Sequence, residues 1–138
     1  MSAPPEVLHI VRQWVEKAEE DLLTSEHALT LGENCPVGTI CFHAQQCVEK
    51  YFKALLTLHS VPFPKSHDLL ELLVLVAKNA GLRLQPTDIG VLNRYSVETR
   101  YPGDWEPVTR EDAEEAVAVA RDARELVRAC LPKDVLGR

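Results

Sequence analysis

Apolar residues recur with a helical period along most of the chain. Placed at about 100° per residue, Val37, Ile40, Cys41, Ala44, Cys47, Val48, Tyr51, Phe52, Ala54, Leu55 and Leu58 form one wide apolar arc. The stretch 41–58 is therefore read as a core helix. Its opposite arc carries Thr39, His43, Gln45, Gln46, Glu49, Lys50 and Lys53. Within that arc His43, Gln46 and Lys50 are spaced i, i+3, i+7 and stack in a single stripe, while Glu49 and Lys53 form an i, i+4 pair in the favourable order. Upstream, Pro4 and Pro5 precede a first long helix running from Glu6 to about Leu31 and stopped by Gly32. It turns Val7, Ile10, Val11, Trp14, Ala18, Leu22, Ala28 and Leu29 inward, with Lys17, Glu20 and Glu26 outward. The connector 32–38 is short, which favours an antiparallel second helix. That helix ends near His59, because Pro62 and Pro64 forbid continuation.

Ser66 reads as the N-cap of a third helix, with Asp68 in its first turn and Gly81 as its stop. This helix is apolar over most of its circumference, which places it either centrally in a bundle or under a second protein chain. A fourth helix opens around Thr87 or Asp88 after Pro86, carries Ile89, Leu92 and Tyr95 inward and frays near Thr99. Thr109 with Asp112 resembles a capping box for the last helix, which has acids early and Arg121, Arg124 and Arg128 late, as the helix dipole prefers. Its packing face is small: Ala113, Ala116, Val117, Ala120, Ala123, Val127 and Cys130. The tail 132–138, beginning at Pro132, reads as loose. No segment shows strand alternation, so the expected architecture is all-α, an up-and-down bundle of four to five helices. It forms a single domain over 1–138 with its core at about 6–131.

At 138 residues the chain is long enough to bury a sizeable core without disulfides or metals. Hydrophobic residues at 46% and charged residues at 26% are the mix of an ordinary globular protein. No apolar run reaches the length of a membrane span and no signal peptide is visible, so no membrane association and a cytoplasmic location are expected. A net charge of -6 provides no overall basic field, so any nucleic-acid contact must use a local cluster of Lys, Arg and His. Cys35, Cys41, Cys47 and Cys130 form no C-x-x-C or zinc-type spacing and read as structural. There is no glycine-rich phosphate loop, metal-ligand cluster or nucleophile motif, so neither a cofactor nor a metal is expected.

Three features carry candidate chemistry. The His43, Gln46 and Lys50 stripe offers donors suited to phosphate or base edges, and serves equally as an ordinary solvated face. Asp21 and Ser25 interrupt the apolar face of the first helix. A carboxylate there either reaches water at an edge or pairs with Arg94, Arg100 or Lys50 in a polar cleft. The segment 93–105 pairs Arg94 with Glu98 at i, i+4 and adds Arg100, Tyr101 and Trp105. Arginines beside aromatic rings suit single-stranded nucleic acid or a nucleotide base, and they also suit a protein interface. His67 reads as a capping or loop histidine.

With these residues placed, the chain resembles the HEPN (higher eukaryotes and prokaryotes nucleotide-binding) domain family, in its small prokaryotic single-domain form. The resemblance rests on W-x3-A-x2-D-L at Trp14, Ala18, Asp21 and Leu22, on CFHAQQCVEKYFKALL, on SHDLLELL and on RYP at 100–102, and it spans about Trp14 to Arg128. It implies a helical bundle that commonly dimerises and, in prokaryotes, often accompanies a minimal nucleotidyltransferase, sometimes as a toxin and antitoxin pair. Many members are metal-independent ribonucleases with an R-x4-6-H motif paired across the dimer, in which arginine stabilises phosphorane charge and histidine moves a proton. This chain departs from that motif. Counting from Arg94, the histidine positions hold Thr99, Arg100 and Tyr101, and none of the five histidines has an arginine at the required distance upstream. Three readings follow. The first is a homodimeric module binding nucleotide or RNA through His43, Gln46, Lys50, Arg94, Arg100 and Tyr101, with Asp21 as cleft partner and a nucleotidyltransferase as partner protein. The second is a ribonuclease with an altered site using His43 and Arg94 or Arg100. The third is a structural interaction domain.

Overall fold

The computed structural model describes residues 3–96 and 107–137. These form α1 (Pro5–Leu29), α2 (Val37–Leu58), α3 (Leu69–Ala80), α4 (Pro86–Asn93) and α5 (Arg110–Arg128), with 3-10 turns at Gly32–Asn34 and Lys133–Val135 and no strand among the described residues. The expected all-α bundle is what the chain adopts. Pro5 opens α1, where a missing backbone N–H costs nothing. α1 stops at Leu29, and Gly32 takes the left-handed region at φ 75° to turn the chain toward α2.

α1 and α2 run antiparallel: Ser25 Oγ donates to the Ile40 carbonyl at 2.8 Å, and Tyr51 donates to Glu19 farther along the pair. The first of these bonds explains how Ser25 interrupts an apolar face while fully buried. α5 also runs antiparallel to α1, since Arg110 reaches the Gly32 carbonyl, Arg121 reaches Glu26 and Arg124 reaches Glu19. It therefore lies alongside α2 and points the same way. Ala113, Ala116, Ala120 and Ala123 are buried at its contact face, so the two helices approach closely. Thr109 and Asp112 form the expected capping box.

Several expectations are corrected by tertiary placement. Ile10 is exposed, because the buried stripe of α1 follows Val11, Val15, Ala18, Leu22 and Ser25 and position 10 lies about 100° off Val11. Cys130 is exposed because α5 ends at Arg128, beyond which the helical period no longer applies. α2 occupies the centre, touching α1, α3, α4 and α5. α3 is peripheral, buries Leu69, Leu72, Leu73 and Val76, and leaves Leu70 and Val74 exposed. Its N-cap is Asp68, whose carboxylate accepts from the Leu70 and Glu71 amides. Ser66 accepts from the Asp68 amide instead and donates to Glu71. Asn93, the last residue of α4, accepts from the Leu69 amide and donates to Asp68, fastening α4 to the start of α3. The segment after Pro132 is not loose over the described residues. Val135 is buried, Arg12 donates to the Asp134 carbonyl at 3.1 Å, and Arg128 donates to the Leu136 carbonyl at 3.2 Å.

Candidate functional site

α2 places His43, Gln46 and Lys50 along one flank, beside Asp21 of α1. Asp21 is only 7% exposed, and its two carboxylate oxygens divide between two partners: Oδ1 lies 2.7 Å from His43 Nδ1 and Oδ2 accepts from Lys50 Nζ at 2.5 Å. The carboxylate that interrupts the face of α1 is thus met by a cation and an imidazole, not by water at an edge. The His43 and Lys50 side chains keep about a quarter of their surface exposed, at 25% and 23%. Phe42 packs edge-on against the His43 ring with centroids 5.2 Å apart.

From Gln46 the polar contacts continue inward. Gln46 Nε2 donates to Gln45 Oε1 at 2.7 Å, and Gln45 Nε2 donates to Glu49 Oε1 and to the His67 carbonyl. Glu49 also accepts from Lys53 at 2.9 Å and lies 2.9 Å from His67 Nδ1. Gln45, Glu49 and Lys53, which the helical period assigns to the outward arc, are buried. Their flank of α2 is covered by the segment leading into α3 and by Trp14 and Phe63, whose rings lie 5.7 and 5.9 Å from the Lys53 ammonium. No buried side-chain polar atom among the described residues lacks a hydrogen bond. His67, read from sequence as a loop or capping residue, is the loop's tie to Glu49.

The structure does not bring Arg94 to this stripe. At the end of α4, Arg94 pairs with Asp112 of α5 at 3.2 Å and stacks its guanidinium over Tyr95. Arg100, Tyr101, Glu98 and Trp105 lie outside the described residues, as does the RYP segment. Among the described residues no cluster of His, Cys, Asp and Glu could hold a metal ion, and no helix is long and apolar enough to cross a membrane.

A HEPN domain model matches residues 11–130. The chain belongs to the HEPN domain family. Two solved structures share the fold. TT1696 from Thermus thermophilus superimposes with a TM-score of 0.72 at 28% identity, over 88% of this chain and 98% of that one. ST0689, described as an archaeal HEPN homologue, gives 0.64 at 26% identity over 86% and 95%. No match was found among curated proteins.

This HEPN domain holds a second polar cluster that its sequence conceals. Tyr51, counted in the apolar arc of α2, donates its hydroxyl to Glu19 at 2.5 Å and accepts from Arg128 at 3.2 Å. Arg124 grips the same Glu19 with two N–H groups at 2.7 and 2.9 Å. Burial would raise the Glu19 pKa, but the hydrogen bonds from Arg124 and Tyr51 and the charges of Arg124 and Arg128 outweigh it and hold the pKa below its ordinary value. The one signal available in sequence is that a tyrosine buried in an aliphatic arc needs a partner for its hydroxyl. This cluster joins α1, α2 and α5, and its groups are consumed by one another.

Proposed function

We propose that this HEPN protein is a nucleotide- or RNA-binding module, homodimeric and paired with a minimal nucleotidyltransferase in a toxin and antitoxin-like arrangement. The observation that supports the binding role is the Asp21, His43 and Lys50 cluster. A carboxylate only 7% exposed holds two partly exposed nitrogen side chains in fixed positions on the helix surface, which an ordinary solvated face does not require. The nucleotidyltransferase partner rests on the family resemblance alone, and a small nucleotidyltransferase reading frame beside this one is the expected genomic finding. The dimer is supported by Leu70, Val74 and Val91, exposed apolar side chains on adjacent α3 and α4. Sedimentation should give a dimer at micromolar concentration, and a monomer there removes that part of the reading.

The binding role is tested by titrating labelled single-stranded RNA with the protein and with a His43→Ala, Lys50→Ala double variant. Saturable binding by the parent, weakened about tenfold or more in the variant at a temperature where both proteins remain folded, is expected from the loss of two hydrogen-bonding groups. Unchanged affinity places any ligand elsewhere.

A second reading is favoured by one distance. Asp21 Oδ1 at 2.7 Å from Nδ1 fixes the His43 tautomer and orientation, which is the arrangement a proton-transferring histidine needs. In that reading the chain is a metal-independent ribonuclease with an altered site. RNA cleavage in EDTA that disappears in His43→Ala supports it. Intact RNA after prolonged incubation leaves the binding module.

A further inference from the structure

Two buried carboxylates determine which atoms the His43, Gln46 and Lys50 stripe can offer. Glu49 Oε1 and the His67 carbonyl only accept hydrogen bonds, and both take theirs from Gln45 Nε2, at 3.3 and 3.2 Å. Gln45 is thereby left with Oε1 for its neighbour, and Gln46 meets that oxygen with Nε2 at 2.7 Å. Reversing the Gln46 amide would set two carbonyl oxygens against each other. Its Oε1 is therefore the amide atom left for a ligand.

Asp21 imposes the same order on the rest of the stripe. Nδ1–H of His43 donates to Asp21, so in the neutral ring Nε2 is left as an acceptor. Lys50 gives one N–H to Asp21 and keeps two. Among the described residues none donates to His43 Nε2 or Gln46 Oε1. Along α2 the stripe thus presents acceptor, acceptor and donor, and the Asp21 charge cancels that of Lys50.

Resting on the nucleotide- or RNA-binding role proposed above, we infer that the stripe recognises amino-bearing nucleobases. The exocyclic amine of adenine, cytosine or guanine donates to Gln46 Oε1 and His43 Nε2, and a ring nitrogen or carbonyl oxygen accepts from Lys50. Uracil presents carbonyl oxygens where those bases carry the amine, and a phosphate brings only acceptors. Uracil has one ring N–H and so can satisfy only one of the two acceptor atoms, and a phosphate satisfies neither.

The test measures binding of the full chain, at mildly alkaline pH, to labelled dodecamers of adenylate, cytidylate, uridylate and deoxyadenylate. Adenylate and cytidylate should bind about tenfold tighter than uridylate, the scale of one well-made base contact. Deoxyadenylate should share the preference, because the amine and not the ribose is read. Gln46→Met keeps the side-chain volume and removes the amide, so it should lower adenylate affinity and abolish the preference for adenylate over uridylate. Equal affinity for all three RNAs overturns this inference and leaves the binding role standing. Binding of adenylate but not deoxyadenylate overturns it as well, by assigning the donor to the 2'-hydroxyl. Absence of binding to every oligomer overturns both.

Discussion

Glu49 and Lys53 form an ion pair from which water is almost wholly excluded, with side chains 4% and 9% exposed. Their attraction offsets a large desolvation cost only while both are present. Glu49→Ala strands an ammonium between Trp14 and Phe63 and should cost about 3–5 kcal/mol of stability in denaturant unfolding. Replacing both residues by methionine should cost far less than the sum of the single changes. Additive losses would show that the pair is not coupled. Glu19 makes a different kind of prediction. Its folded pKa is depressed, so its contribution is complete above the ordinary carboxylate range and is lost as pH falls through the lowered folded value. Glu19→Gln should therefore flatten the acid limb of a stability against pH curve, and an unchanged slope would contradict the assignment. At this scale the helical period located His43, Gln46 and Lys50 on one stripe, and Asp21 announced its need for a cation. It misplaced Gln45, Glu49 and Lys53 because a wheel knows the angle of a residue and not what covers that angle. The Tyr51 and Glu19 contact was invisible for a related reason, since it joins two helices through atoms that hydropathy does not count.

The helices themselves were legible wherever their ends are written locally. Thr109 with Asp112 identifies the start of α5 because a capping box needs only four consecutive residues, and the alanines of α5 predict close packing because small side chains permit it in any partner. The limits appear where a neighbour decides. Composition marks α3 as greasy, but its central or peripheral place depends on α2 filling the middle. The segment after Pro132 looks polar and short, but Arg12 and Arg128 reach it from helices elsewhere in the chain. The fit of α5 on the bundle is directly testable: Ala120 is fully buried, and Ala120→Leu should force the helices apart at a cost of about 1–3 kcal/mol. A melting temperature equal to the parent's would mean that the interface has room to spare.

For the molecule as a whole, α2 is the shared surface on which the other helices are laid, and the stripe is a flank of α2 that stays partly exposed. A chain of net charge -6 that neutralises its stripe lysine with Asp21 is poorly suited to gripping a phosphate backbone by charge alone. Recognition at the stripe therefore depends on hydrogen-bond direction more than on charge. The α1 and α2 pairing also has a consequence in time. Their connector, 30–36, closes over few residues, whereas the Arg124 contact with Glu19 joins residues 105 apart in sequence. The entropy of loop closure then favours an antiparallel α1 and α2 hairpin as the folding nucleus, with α5 docking onto it late. Val48→Ala should mainly slow refolding, and Ala120→Gly should mainly speed unfolding. The opposite division of rates in stopped-flow measurements would mean that assembly begins at the chain's distant contacts.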